Sequence, residues 1–279
     1  MKRTSILFVS LITAGLVYTS CNDSSEPKAD ETPVTPAVSI KEEPVNYTDD
    51  TVSLSGYVAY NESDSQKRPA ILVIPEWWGL TDYPKMRARQ LADLGYVAFA
   101  VDMYGTGKLA EDPKQAESLA MPFYMDPAMA KKRFDAALAK LKTYPQVDTN
   151  NIAAIGYCFG GSVALNMARL GEPLKGVVSF HGNLVGTPAN KDLLKAKVLV
   201  CHGGDDPFVP QAEVDKFKKQ MDSIQADYTF NVYPGATHAF TNPNATSIGE
   251  KFKMPIKYNG AADTASWNAM KDFFGKIFK

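Results

Sequence analysis

The chain has 279 residues, 45% of them hydrophobic and 22% charged, with a formal net charge of −1. This is the composition of a globular protein, and its charge leaves no electrostatic footprint for nucleic acid or for an anionic membrane surface. The length allows one large domain or two small ones, and 14 Phe, 13 Tyr and 10 Met supply the bulk for a sizeable core.

The N-terminus stands apart from that core. Lys2 and Arg3 precede an apolar run from Ile6 to Val17. The run is too short to span a bilayer and has the length of a signal-peptide apolar region. Residues 18–21, "YTSC", resemble a bacterial lipoprotein box in which Cys21 is lipidated and becomes the mature N-terminus, although Tyr18 stands where Leu is usual. The alternative is a plain secretory signal with a chance cysteine. Residues 22–46 are rich in Pro, Ser, Thr, Glu and Asp and poor in large apolar groups. Such a segment cannot bury enough surface to offset its ordering entropy, so it reads as a tether. The expected organisation is therefore a signal peptide (1–20), a flexible tether (21–46) and one domain (47–279). The domain is expected in the bacterial envelope, periplasmic or surface-facing, as a monomer that touches the membrane only through the lipid anchor.

From residue 47 onwards, short apolar runs alternate with amphipathic stretches. Residues 51–60 alternate like an exposed edge strand, and "AILVIP" (70–75) reads as a strand buried on both faces. A helix is expected over 84–95, a buried strand over 96–102 and a helix over 126–144, the last with Asp126 as cap and Pro127 in its first turn. A strand (152–157), a helix (161–171) and two strands (174–182 and 196–203) follow. A helix (210–224), a strand (226–235) and a closing helix (264–278) complete the pattern. This alternation predicts a mostly parallel central sheet with helices on both faces, and sites in such sheets form beyond the C-terminal strand ends.

The loops after the apolar runs carry the chemistry. In "GYCFGG", Gly156 and Gly160 flank Cys158 between a strand and a helix. A nucleophile at a sharp strand-to-helix turn needs small neighbours, and the helix N-terminus favours a thiolate. A packed structural cysteine is the bland alternative. "GGDDPFVP" offers an acid, Asp205 or Asp206, either of which could equally cap a turn. "YPGATHAF" offers His238. The other two histidines, His181 and His202, also end strands; His202 reads as a packed residue and His181 as a pocket-lining one. The order nucleophile, acid, histidine is that of α/β-hydrolases, in which His takes the nucleophile's proton and the acid fixes the imidazole. In "VIPEWWGL", the Trp77 amide and the Phe159 amide are the expected oxyanion-hole donors. No cofactor and no metal is implied.

The segments "PEWWGL", "VDMYG", "GYCFGG", "GGDDPFVP" and "THAF" together resemble the dienelactone hydrolase family, over roughly residues 50–279. The resemblance implies an α/β-hydrolase fold and a triad of Cys158, Asp206 and His238, with Asp206 preferred because it precedes "xFVP". It also implies a Glu76 that contacts the nucleophile and helps deprotonate it when substrate displaces its partner. Trp78, Tyr104 and His181 are the expected pocket residues. Family members that bind a substrate carboxylate use two arginines; Thr106 or Gly107, and Asn242, occupy those places here, with Lys108 nearby and Lys253 a further cation. His238, neutral in its resting base role, offers no standing counter-ion. A Cys158–Cys201 disulfide is not expected, because the two cysteines lie on different strands and Cys158 points into the pocket. The expected function is hydrolysis of small, uncharged esters or lactones through a thioester acyl-enzyme. A catalytically idle ligand-binding lipoprotein with the same fold is the alternative.

Overall fold

The structure is a computed structural model describing residues 39–63 and 65–278. The signal segment, Cys21 and the tether as far as residue 38 lie outside the described residues. Eight strands form one sheet: β1 (Ile40–Asp49), β2 (Val52–Asn61), β3 (Arg68–Ile74), β4 (Val97–Ala100), β5 (Val147–Tyr157), β6 (Gly176–Phe180), β7 (Lys197–Gly203) and β8 (Tyr228–Tyr233). Their spatial order is β1-β2-β4-β3-β5-β6-β7-β8. β1 and β2 pair antiparallel, as do β2 and β4; from β4 through β3 to β8 every pairing is parallel.

Among the described residues seven helices accompany the sheet: α1 (Asp82–Asp93), α2 (Pro113–Met125), α3 (Pro127–Leu141), α4 (Phe159–Arg169), α5 (Gln211–Ser223), α6 (Ala245–Phe252) and α7 (Gly260–Ile277). Strand alternation explains how they are held. On β3, Leu72 and Ile74 point to one face, where they join Phe134 of α3, Val163 of α4 and Phe217 of α5. Ile71 and Val73 point to the other, with Leu91 of α1 and Met270 and Phe274 of α7. A strand buried on both faces has to be apolar throughout, which is why residues 70–75 read as one continuous run.

Three expectations change. The fold extends upstream of Tyr47 to include Ile40, because β1 pairs with β2 along its whole length. Its sequence resembles a linker because β1 is an edge strand: Pro44, Glu42, Asn46 and Thr48 are exposed, Lys41 and Glu43 are half-buried, and among its apolar side chains only Val45 is buried. Residues 52–61 are consequently not an edge strand but lie between β1 and β4. α2 and α6 were not evident from the pattern. α2 starts with the same Asp-Pro device as α3: Asp112 accepts from the Gln115 amide at 2.9 Å, as Asp126 accepts from Ala128 at 2.9 Å. Pro122 inside α2 masks that signal, since proline normally ends a helix.

β1 also ties the domain together. The Tyr47 hydroxyl bonds both the amide and the carbonyl of Asp102, and Asp49 pairs with Arg133 of α3. A domain of residues 39–279 is therefore expected to unfold as one cooperative unit. A domain of residues 47–279 removes Val45 from the core and leaves β2 half unpaired, which costs at least about 2 kcal/mol. Thermal denaturation of the two proteins side by side measures the difference.

Candidate active site

The site is assembled from four loops that leave parallel strands at the same sheet edge. At its centre the chain turns from β5 into α4 at Cys158, whose backbone sits at φ +54°, ψ −117°. A non-glycine residue in this region stores strain of about 1–3 kcal/mol and lifts its side chain clear of the sheet. The flanking glycines are geometric requirements. A Cβ on Gly156 would stand 1.9 Å from the Gly160 carbonyl oxygen, and one on Gly160 would stand 2.3 Å from that of Ile74. The Cys158 amide is shared between the Phe180 carbonyl at 3.0 Å and His181 Nδ1 at 3.1 Å. Phe159 is the first helical residue, so its amide has no partner four residues back within α4.

After β8, His238 Nδ1 donates to Asp206 Oδ2 at 2.7 Å. The Asp206 side chain is wholly buried, and its other oxygen accepts from the Phe208 amide at 2.9 Å. Asp205 is exposed, so the buried position selects Asp206 from the pair. Burial alone would lower the His238 pKa, but its interactions with the Cys158 and Asp206 side chains outweigh this and hold it well above the ordinary histidine value. The ring faces the Cys158 and Asp206 side chains at once, and both favour its charged form.

Glu76, 3% exposed, follows β3 and lines the same pocket. Burial raises its pKa to about 7, against smaller lowering contributions from Asn242, His238 and Arg87. Its partner is Asn242, whose Nδ2 donates to Glu76 Oε2 at 2.7 Å. The Asn242 amide is itself oriented, because its Oδ1 accepts from the Asn244 amide at 2.9 Å.

The pocket has a volume of about 570 Å³ and is walled mainly by Trp77, Trp78, Met121, Tyr124, Phe208 and Ile256. Cys158, His238 and Glu76 open into it, and no Lys or Arg lines it among the described residues. Lys108 and Lys253 are exposed elsewhere. Of the expected pocket residues Trp78 lines the wall, joined there by the Trp77 side chain, whereas Tyr104 and His181 do not. Tyr104 lies behind the wall, and its hydroxyl donates to the Trp77 carbonyl at 3.0 Å. His181 lies against the Cys158 main chain, 1% exposed, and does not line the pocket. His202 is buried against Phe230, as expected for a packed residue. Cys158 and Cys201 are free thiols, and burial pushes Cys201 up to about 12. The pattern did not mark Met121 and Tyr124, because they ride on the unforeseen α2.

The family model described as "Dienelactone hydrolase family" matches residues 54–278. The chain belongs to the dienelactone hydrolase family. This makes it a carboxylic ester or lactone hydrolase, built on the α/β-hydrolase fold. Among solved structures it is similar to a dienelactone hydrolase-like promiscuous phosphotriesterase from metagenomic libraries, at TM-score 0.80 and 36% identity over 85% of this chain and 98% of that one. It is 28% identical to a putative carboxymethylenebutenolidase of Aquifex aeolicus over 84% of this chain and 98% of that protein. It is also 34% identical to an uncharacterised protein of Caenorhabditis elegans over 53% of this chain and 94% of that protein.

The Glu76 pKa yields a stability test for this hydrolase. A carboxyl raised from 4.5 to about 7 binds more protons folded than unfolded between those values, so its contribution falls as pH rises through that window and is fully unfavourable above it. Glu76→Gln is expected to be more stable than the parent above pH 7, with the gain shrinking to nothing near pH 4. Urea unfolding across pH 4–9 follows this difference.

Proposed function

We propose that this member of the family hydrolyses small, uncharged esters or lactones with Cys158 as nucleophile, His238 as proton carrier and Asp206 as its orienting acid. The observation that carries the reading is the junction of a strained Cys158 turn with a His238–Asp206 pair at the floor of one apolar pocket. The Cys158 sulfur adds to the substrate carbonyl, and the negative oxygen that forms is held by the amides of Trp77 and Phe159. The carbon–oxygen bond to the alcohol breaks as His238 hands its proton to the leaving oxygen, which leaves a thioester. Water then attacks the thioester while His238 takes a proton from it, and the acid departs with Cys158 restored. Glu76, poised near neutrality beside the nucleophile, is the second group able to exchange its proton.

We further place the mature protein in the bacterial envelope as a monomer held by a lipid on Cys21. Support comes from the charged start, the short apolar run and the cysteine after it. Membrane fractionation of a Cys21→Ala variant tests this separately.

Cys158→Ala is expected to reduce hydrolysis of p-nitrophenyl acetate by at least about 10³-fold with the melting temperature unchanged, because nucleophile and base act as a unit. A variant turning over at the parental rate would show that Cys158 is not the nucleophile.

Substrate charge follows from the lining. A carboxylate entering a largely apolar pocket with no Lys or Arg at its wall would also meet Glu76 there. The expected preference is for the methyl ester of a lactone carboxylate over the free acid, by at least ~10-fold in kcat/KM, equal to about 1.4 kcal/mol. Steady-state kinetics on that matched pair decides it.

A further inference from the structure

Beneath Cys158, on the side away from the pocket, lies a buried polar chain that the hydrolytic steps do not use. His181 Nδ1 accepts from the Cys158 amide at 3.1 Å, so the ring proton belongs on Nε2. That nitrogen stands 2.7 Å from Thr241 Oγ1 and donates to it. Thr241 Oγ1 lies in turn 2.6 Å from the Tyr83 hydroxyl of α1. The chain is anchored at its far end by Arg87, whose guanidinium donates to the Thr241 carbonyl at 2.7 Å and to Asp263 of α7 at 2.5 Å.

The surroundings of His181 are otherwise aromatic, with Tyr157 and Phe240 packed against its ring. An apolar side chain would fill such a place at no desolvation cost, whereas an imidazole needs both nitrogens paired. Here both pairs lead into the reaction centre. One holds the main chain of the strained residue, and the other ends on the loop that carries His238. The His181 ring also meets the His238 ring edge-on at 5.3 Å between centroids, and Phe208 meets it from elsewhere at 5.2 Å. His181 itself has φ +42°, so two strained non-glycine residues face each other across this hydrogen bond. Burial keeps the His181 ring neutral, as an acceptor for the Cys158 amide must be.

We propose that His181 is a positioning residue, its tautomer fixed by the Thr241 hydroxyl, which holds the Cys158 main chain and the His238 ring in reacting geometry. The inference rests on the reading of Cys158 as the nucleophile. It predicts effects on the chemical step rather than on substrate binding, because neither His181 nor Thr241 lines the pocket.

Thr241→Val and Thr241→Ser separate the hydroxyl from the rest of the residue, while the Thr241 carbonyl stays available to Arg87 in both. In the full-length protein, Thr241→Val is expected to lower kcat for p-nitrophenyl acetate by roughly tenfold or more, since small misplacements of reacting groups carry such penalties. KM should stay within about twofold. The rate of Cys158 alkylation by iodoacetamide should fall with kcat, and Thr241→Ser should recover most of both. Parental kcat and alkylation rate in the Val variant, or equal losses in Val and Ser, would overturn the proposal, as would a change confined to KM. If the Val variant does not fold, His181→Asn against His181→Gln decides. Asn places an acceptor near the Nδ1 position and Gln does not, so Asn should retain the higher kcat, and equal rates would refute the role. A Cys158→Ala protein that still hydrolysed the ester would instead remove the nucleophile reading, and this inference with it.

Discussion

The turn at Cys158 is the constraint on which the site depends. A cysteine at φ +54° cannot hold that conformation by local preference. It is held because α4 packs so closely on the sheet that Gly156 and Gly160 leave no room for a Cβ, and because the Cys158 amide is fixed by Phe180 and His181. The core on both faces of the sheet supplies the rigidity that this strain requires. Leu72 and Ile74 press on one side, Ile71 and Val73 on the other, so β3 and β5 cannot shift to relax the turn.

A single loop after β8 then gathers three tasks. His238 faces Cys158 and Asp206, Thr241 reaches the His181 ring and Asn242 holds Glu76. Arg87, bonded to the Thr241 carbonyl and to Asp263, fastens this loop to α1 and α7 on the same side of the sheet. The arrangement links His238, Thr241 and Asn242 mechanically, so that movement of the loop disturbs all of them together. It also shifts the proton affinities of Glu76 and His238. Glu76 has an amide as its hydrogen-bond partner, which leaves burial dominant and its pKa near neutrality, while His238 is raised by the two acidic side chains it faces.

The pocket is lined mainly by apolar side chains, with no Lys or Arg among the described residues. Its wall of tryptophan, methionine, tyrosine and phenylalanine side chains contributes apolar contact, and Glu76, Cys158 and His238 open into it. Family membership makes the chain an ester or lactone hydrolase. The choice among esters belongs to the wall, much of it supplied by α2 and by the loops after β6 and β7.

Residue order alone determined a good deal. The β-α alternation gave the parallel sheet, because strands buried on both faces must be uniformly apolar and helices must show a stripe. The glycines around Cys158 marked the turn, because only glycine fits where helix and strand nearly touch. Chain order and the resemblance carried by "GYCFGG", "GGDDPFVP" and "THAF" single out Cys158, Asp206 and His238. Other features were decided only in three dimensions. β1 looked like a tether because an edge strand satisfies half its backbone with a neighbour and leaves its side chains to water, so composition hides it. Tyr104 and His181 both follow strands yet lie outside the pocket lining, because which side of a turn a side chain takes depends on packing from α2, α4 and the β8 loop. Thr241 and Asn242 acquire their partners across more than 50 residues of chain, His181 and Glu76 respectively. Such pairings leave no periodic trace in a sequence, because they arise only when separate strands end at one edge of the same sheet.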